Sequence, residues 1–205
     1  MRRNYLRQLF TTAVKDLQAR GGSRAAYERA AARPDDTEGL GRHEREFLEA
    51  ADHFFLASIG ETGWPYVQHR GGPPGFIHVL GPNRIGYSDF RGNQQFISAG
   101  NVAVDPRVSI LVMDYAHRAR LKLIGRLRFV ALNDADPALR DRLVHADYPG
   151  RVEHIALIEV EGFDWNCPQH IVPRFTVEEI EAATEPLRQR IRELEARVGL
   201  AGDNP

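Results

Sequence analysis

The chain has 205 residues, of which 42% are hydrophobic and 27% charged, and its formal net charge is -1. This length allows one sizeable core with terminal extensions, and the near-neutral charge excludes a general attraction to nucleic acid or to anionic membranes. The single cysteine, Cys167, excludes an intrachain disulfide framework and most cysteine-based zinc sites. These totals favour a reducing, cytoplasmic setting.

The first 33 residues are rich in Lys and Arg and contain only Asp16 and Glu28 as acids. Apolar residues recur at helical spacing from Leu6 to Leu17, which predicts one amphipathic helix ending at Gly21. The basic composition superficially resembles an organellar transit peptide, but a helix that packs on the body or on a partner chain explains it more simply. We find no apolar segment of the roughly 20 residues needed to span a bilayer, and we assign residues 1–44 to an N-terminal helical extension.

Residues 45–175 are predicted to form one mainly β domain. Short runs rich in β-branched and aromatic residues alternate there with turn dipeptides, a pattern typical of an antiparallel sheet or barrel. Six or seven strands are enough to close a small barrel. The predicted strands are 53–59, 65–70, 76–80, 84–88, 108–114, 121–130 and 155–163, with helices at 94–104, stopped by Asp105-Pro106, and at 137–144.

Residues 176–205 are predicted to form a helical tail. Thr176 and Glu179 have the spacing of a capping box, and Thr184 with Pro186 predicts that a second helix begins there. An apolar stripe follows, made of Leu187, Ile191, Leu194 and Val198. This stripe covers fewer than two heptads, which is too short to predict a coiled coil.

The segment YSDFRGNQQF, residues 87–96, lies where a predicted strand gives way to a helix. Phosphate binding uses backbone N–H groups at a helix start, a glycine that permits close approach, polar donors and a guanidinium. Ser88, Arg91, Gly92 and Asn93 supply these groups. An ordinary turn capped by Asn93, with Arg91 solvated, remains the alternative interpretation.

The segment HRARLKLIGRLRF, residues 117–129, carries a row of cations. On a strand, Arg118, Arg120 and Lys122 share one face, whereas Leu121 and Leu123 share the other. Such a row is most often a solvated face, but it would also suit a phosphate or an anionic ring system.

Two further segments carry polar groups beside rigid turns. In PYVQHRGGPPG, residues 65–75, Gln68 and Arg70 share a strand face, and His69 lies on the other. In FDWNCPQHIVPRF, residues 163–175, prolines brace a loop that contains Trp165, His170 and Arg174. Such a loop can hold an aromatic ring and a cation over a ligand, or it can simply connect a barrel to the tail.

Together these segments resemble the FMN-binding split barrels of the pyridoxamine 5'-phosphate oxidase-like family, over roughly residues 45–175. FFLASIGETGWPYVQHRGG is similar to the first hairpin, IGYSDFRGNQQFISAGNVAVDPRVSILVMDY to the phosphate-binding turn, helix and next strand, and RLKLIGRLRFV to the strand after that. The resemblance implies that the mainly β domain is an FMN-binding split β-barrel, and the sequence patterns add amphipathic helices at both termini. It also implies a homodimer with one FMN per subunit at the interface.

The resemblance also implies which residues contact the flavin. Gln68 and Arg70 match polar contacts of the hairpin strand, and Arg120 and Lys122 match positions near the isoalloxazine ring. The phosphate would be bound near Tyr87 and Ser88 and along Arg91, Gly92, Asn93 and Gln94, where Gly92-Asn93-Gln94 replaces the family's basic pair. Trp165 and Arg174 resemble the aromatic residue and arginine that the partner subunit brings to the cofactor.

For function, the resemblance implies an FMN-dependent oxidoreductase acting on a small organic substrate, without nucleic acid or membrane as a partner. The chain lacks the basic, histidine-containing carboxyl-terminal segment of the true oxidases, so we do not expect pyridoxamine phosphate to be the substrate. The alternatives are a flavin store or sensor without turnover, or a split barrel that uses heme or deazaflavin. His69 and His170 are the first candidates for a proton donor.

Overall fold

The computed structural model describes residues 4–34, 39–165 and 167–202, the last three without side chains. These residues form two compact units, one made of residues 4–114 and 119–168 and the other of residues 115–118 and 169–202. Each unit is described by itself.

The first unit is built on one seven-stranded antiparallel sheet, which confirms the mainly β prediction. All seven predicted strands are present, with ends shifted by up to three residues. The sheet order is β2-β1-β5-β6-β7-β4-β3. The strands are β1 (His53–Ile59), β2 (Pro65–Gly71), β3 (Ile77–Gly81), β4 (Arg84–Phe90), β5 (Arg107–Asp114), β6 (Ala119–Ala131) and β7 (Val152–Trp165).

Alternating side chains decide which face of the sheet forms the core. Along β6, Leu121, Leu123 and Leu127 are almost completely buried, whereas Arg126 and Arg128 are exposed. Because strand side chains alternate with a period of two, the apolar residues of neighbouring strands meet on one face. This confirms that the leucines of the 117–129 segment point inward.

The sheet curls until strands that are not hydrogen-bonded neighbours meet through side chains. Arg70 on β2 forms an ion pair with Asp89 on β4, and its guanidinium lies 6.0 Å from the ring centroid of Phe129 on β6. β2 and β4 stand near opposite ends of the strand order, so their contact requires a barrel-like curvature. The fold is therefore a split β-barrel, as predicted.

Helices cover the free edge of β3. Arg45 in α4 (Arg42–Ala50) donates a hydrogen bond to the carbonyl oxygen of Val79 at 2.9 Å, and Glu49 accepts one from the Val79 N–H at 3.1 Å. Arg142 in α6 (Pro137–Leu143) also donates to the Val79 carbonyl at 2.9 Å. These bonds satisfy backbone groups that an edge strand would otherwise leave unpaired.

The amino-terminal extension contains short helices where one helix was predicted, so that prediction was wrong. A break falls at Phe10, because the side chain of Thr11 caps a new helix by accepting a hydrogen bond from Val14 N–H at 3.4 Å. Gly21 ends the second helix, as predicted. The helices are α1 (Tyr5–Leu9), α2 (Thr12–Arg20) and α3 (Arg24–Ala31).

Helix α5 (Ile97–Val104) begins three residues later than predicted. Gln94 and Phe96 have φ values of 60° and 54°, and this left-handed backbone cannot continue a right-handed helix. Asp105 ends α5, as predicted, and α6 occupies the second predicted helix.

The second unit contains one long helix, α7 (Val177–Gly202). The capping box is confirmed, because Glu179 N–H donates to the Thr176 hydroxyl and Thr176 N–H donates to the Glu179 carboxylate. No new helix begins at Thr184, because Pro186 lies inside the continuous helix. Within the described ranges, no helix is both long and apolar enough to cross a bilayer.

Candidate ligand-binding site

An open pocket lies in the first unit between β2, the end of β4 and the start of α5. The space that it encloses, counted together with the solvent-filled mouth, is about 620 Å³. Its polar side chains are Gln68, Arg70, Asp89, Asn93, Gln94, Gln95, Ser98, Glu153 and His154, and its aromatic ones are Tyr66, Phe90, Phe96 and Phe129.

Strand β2 contributes Gln68 and Arg70 to the same wall of the pocket, since residues two apart share a strand face. The buried hydroxyl of Ser98 in α5 donates to Gln68 Oε1 at 2.8 Å. In this orientation the Gln68 amide nitrogen keeps two N–H donors for a ligand. The sequence predicted Gln68 and Arg70 as site residues. It did not predict Ser98, because the partner of Ser98 lies thirty residues away in the chain.

Three residues of the pocket lining, Arg70, Asp89 and His154, form a chain of interacting groups. Arg70 Nη1 pairs with Asp89 Oδ1, and His154 Nδ1 lies 3.5 Å from Asp89 Oδ2. Burial raises the pKa of Asp89 above its ordinary value, although Arg70 and His154 oppose the shift. Arg70 Nε is buried without a hydrogen-bond partner among the described residues, so one donor of the guanidinium is left unsatisfied.

The loop before α5 and the first turn of that helix form part of the pocket lining. Phe96 occupies the N-cap position of α5 without any side-chain capping bond, which leaves N–H groups of the first turn for water or a ligand. Asn93 does not cap the helix; its Oδ1 accepts a hydrogen bond from Gln95 N–H at 3.2 Å. A Cβ built on Gly92 would meet no atom within 4 Å, so the space beside Gly92 is open.

The side-chain charges of the pocket lining have a negative excess when His154 is neutral. Arg70 faces two carboxylates in the lining, Asp89 and Glu153. Arg91 is outside the lining, half exposed, with its Nε 3.6 Å from Glu153 Oε1. An anion bound here would therefore depend on the backbone donors of α5 more than on the predicted Arg91 cation.

Tyr87 and Ser88 are not part of the pocket lining, and their phosphate contacts stay a prediction. Each is only 1% exposed. Tyr87 packs edge-on against Phe54 and Phe76 in the core, where burial raises the pKa of its hydroxyl. The Ser88 hydroxyl donates to the Leu143 carbonyl oxygen at 2.7 Å, which uses its proton inside the protein.

Arg120 and Lys122 lie on the face of β6 opposite to Phe129, the residue by which this strand lines the pocket. Lys122 Nζ lies 2.9 Å from Asp164 and 5.2 Å from the ring centroid of Tyr5. Arg120 Nε is buried without a partner among the described residues. Neither cation belongs to the pocket of its own chain.

The predicted aromatic residue of the 163–175 segment also lies outside the pocket. Trp165 stacks on His43 with ring centroids 4.5 Å apart, and its indole N–H donates to Glu44 Oε1 at 2.8 Å. In the second unit, the Arg174 guanidinium lies 4.8 Å from the ring centroid of Tyr115, and His170 is exposed.

The two predicted histidines are not in the pocket lining, whereas His154 is. His69 points to the other face of β2, where its ring stacks 5.6 Å from His53. His154 was missed because it forms no local motif; only the pairing of β4 with β7 sets it opposite Asp89. Asp89 itself offered a signal, since aspartate is depleted in strands.

Comparison with known proteins identifies the family. The family model described as pyridoxamine 5'-phosphate oxidase matches residues 40–183, well over half of the chain. A search of curated proteins found no match.

Several solved structures are similar at low identity. HupZ from Group A Streptococcus is 12% identical, with a TM-score of 0.47, over 66% of this chain and 99% of that one. A general stress protein 26 relative of the pyridoxinephosphate oxidase family, from Clostridium acetobutylicum, is 15% identical, with a TM-score of 0.44, over 67% and 94% of the two chains. An FMN-binding protein from Syntrophomonas wolfei is 10% identical, with a TM-score of 0.42, over 61% and 89%.

The family model spans the whole barrel, including every strand of the sheet and the pocket. The chain therefore belongs to the pyridoxamine 5'-phosphate oxidase family.

Proposed function

We propose that this protein is an FMN-dependent oxidoreductase that acts on a small organic substrate and binds the flavin in the pocket between β2, β4 and α5. The observation that carries the proposal is the combination of Gln68 and Arg70 on one wall with the uncapped start of α5 on the next. Family membership supports a flavin as the ligand.

The residues of the pocket suit the two ends of FMN. A flavin ring is planar and edged with carbonyl and N–H groups, which match the Gln68 amide donors and the aromatic side chains of Phe90 and Phe129. Arg70 adds a cation to the same wall of the pocket. A phosphate suits the backbone N–H groups of α5 and the open space at Gly92.

Bound FMN would supply the electron-transfer chemistry, while the chain positions the reactants. Asp89 holds His154 through Nδ1, which leaves the other imidazole nitrogen to hold or deliver a proton inside the pocket. We therefore place His154 before His69 and His170 as the candidate proton donor.

We also propose a cytoplasmic homodimer, because four of the residues assigned to the flavin by resemblance lie outside the pocket of their own chain. These are Arg120, Lys122, Trp165 and Arg174. A second copy would have to bring such groups to the cofactor.

The test is a titration of the purified protein with FMN, followed by quenching of flavin fluorescence. Gln68→Ala should weaken binding about tenfold, because one or two hydrogen bonds worth roughly 0.5–1.5 kcal/mol each are lost. The matched control is Val67→Ala, an exposed neighbour on the opposite face of β2. Equal FMN affinities of the two variants would show that FMN does not bind in this pocket.

Storage of flavin without turnover is the second candidate, because the same pocket would bind the flavin in either case. The reduced holoprotein distinguishes the two functions. Reoxidation by an added acceptor should be faster than for free FMN if the protein is an oxidoreductase, and not accelerated if it is a store. Heme or deazaflavin in place of FMN would change the absorption spectrum of the native protein.

A further inference from the structure

Helix α7 carries an apolar face that repeats every seven residues. With Val177 as position a, the spacing alternates between three and four residues along the helix, as in a coiled coil. Position a is occupied by Val177, Thr184, Ile191 and Val198, and position d by Ile180, Leu187 and Leu194. The pattern covers three heptads, which is longer than the stripe expected from the sequence alone.

The six apolar residues of this face are between 42% and 71% exposed. A contiguous apolar stripe of this length on a soluble helix marks an interaction surface. In a parallel coiled coil, β-branched residues at a combined with mostly leucine at d favour two strands over three or four. We propose that α7 pairs in parallel and in register with α7 of a second copy of this chain.

The polar residue at position a fits this pairing. The Thr184 hydroxyl donates to the Ile180 carbonyl oxygen at 2.8 Å, so its proton is satisfied within its own helix and can be buried at low cost. In a parallel pair in register, Thr184 faces Thr184 of the second copy. Pro186 falls at position c, on the outer side, where its ring does not obstruct the seam.

Charges beside the seam set the direction of the pair. In the parallel arrangement, Arg190 at position g lies opposite Glu195 at position e of the second copy, and symmetry forms this attractive pair twice. In an antiparallel pair with all three heptads overlapping, Arg188 and Arg190 would each face their own copies. Within one helix, Arg190 pairs with Glu193 at 3.0 Å and Arg192 with Glu185 at 2.7 Å. Arg190 therefore exchanges an exposed partner in its own helix for Glu195 of the second copy when the pair forms.

Disulfide trapping in the full-length chain tests the proposal. The exposed Cys167 is first changed to serine, and then Leu194→Cys at position d is compared with Gln189→Cys at the outer position f. Under mild oxidation, Leu194→Cys should form a disulfide-linked dimer at least ten times faster than Gln189→Cys. Equal rates, or no disulfide at Leu194, would overturn the proposal, because α7 would then be single or covered by something else.

Direction and sequence specificity need a second measurement. Glu195→Arg should slow trapping at Leu194, and adding Arg190→Glu should restore it, since the pair is then reversed. Preferential trapping between Leu187→Cys and Ile191→Cys chains in a mixture would show an antiparallel pair and overturn the proposed direction. Circular dichroism of each variant confirms that the fold is retained.

Discussion

The barrel closes in two different ways. β6 and β7 are joined by a backbone ladder that runs from the Leu121–Trp165 pair to the Ala131–His154 pair. β2 and β4 meet only through side chains, chiefly the ion pair of Arg70 with Asp89.

This difference explains the position of the pocket. Strands in a backbone ladder lie about 4.8 Å apart, which leaves no room between them for a ligand. Side chains hold strands further apart, and the space between them is lined by whatever those strands carry. The ladder therefore stabilises the fold, whereas the side-chain seam between β2 and β4 supplies the site.

The largest effect is expected in the ladder region. Leu123 is fully buried in the core cluster, and Leu123→Ala should lower the free energy of unfolding by about 2–5 kcal/mol, because it removes buried contacts and leaves a cavity. Urea unfolding measures the loss. If this loss is smaller than the loss caused by Arg70→Met, which breaks the ion pair between β2 and β4, that side-chain contact contributes more to stability than the core beneath β6.

The second-largest effect is expected for the ion pair between β2 and β4. Arg70→Met leaves Asp89 buried without its cation and should cost about 3 kcal/mol at neutral pH. Its matched control is Arg84→Met, which breaks an exposed pair with Glu159 and should cost at most about 1 kcal/mol. Equal losses in urea unfolding would mean that the seam pair is no more shielded from water than the surface pair.

The pH dependence of stability should also distinguish the buried Asp89 between β2 and β4 from an exposed carboxylate. Burial raises the pKa of Asp89 above 3.8 despite the charges of Arg70 and His154, while Glu153 adds to the rise. Its stabilising contribution is therefore full below pH 3.8 and is lost as pH rises through the raised pKa. The stability of the wild type relative to Asp89→Asn should fall as pH rises from 3.8 through the raised pKa of Asp89, and should change no further above it.

Asp105 should change the stability of the protein with pH in the opposite direction to Asp89. Hydrogen bonds from the Arg107 side chain and backbone lower the pKa of Asp105 to about 2. Its contribution is present above 3.8 and is lost as pH falls towards 2, so the wild type should gain stability relative to Asp105→Asn as pH rises. Chemical unfolding at several pH values measures both differences, and slopes of the same sign would contradict the assigned environments.

The smallest effect is expected at Ser88. Ser88→Ala removes the bond to the Leu143 carbonyl and should lower stability by about 1 kcal/mol. FMN affinity should stay the same, because Ser88 lies outside the pocket. If Ser88→Ala weakens FMN binding without changing stability, Ser88 contacts the phosphate after all.

The sequence by itself determined the strands, the inward face of β6 and the family. Period-two alternation and turn residues are local signals. They are required to bury one face of each strand, whichever strands are neighbours in the sheet. The sequence also selected Gln68 and Arg70 correctly as neighbours on one face.

Only the tertiary structure decided which groups share the pocket. Asp89 and His154 meet because β4 pairs with β7, and Arg70 reaches Asp89 because the sheet curls. Tyr87 is buried inside the barrel against Phe54 and Phe76, and Ser88, on the opposite face of β4, is covered by Leu143 of α6. Residues far apart in the chain were brought together by strand pairing and closure, and neither leaves a local pattern in the sequence.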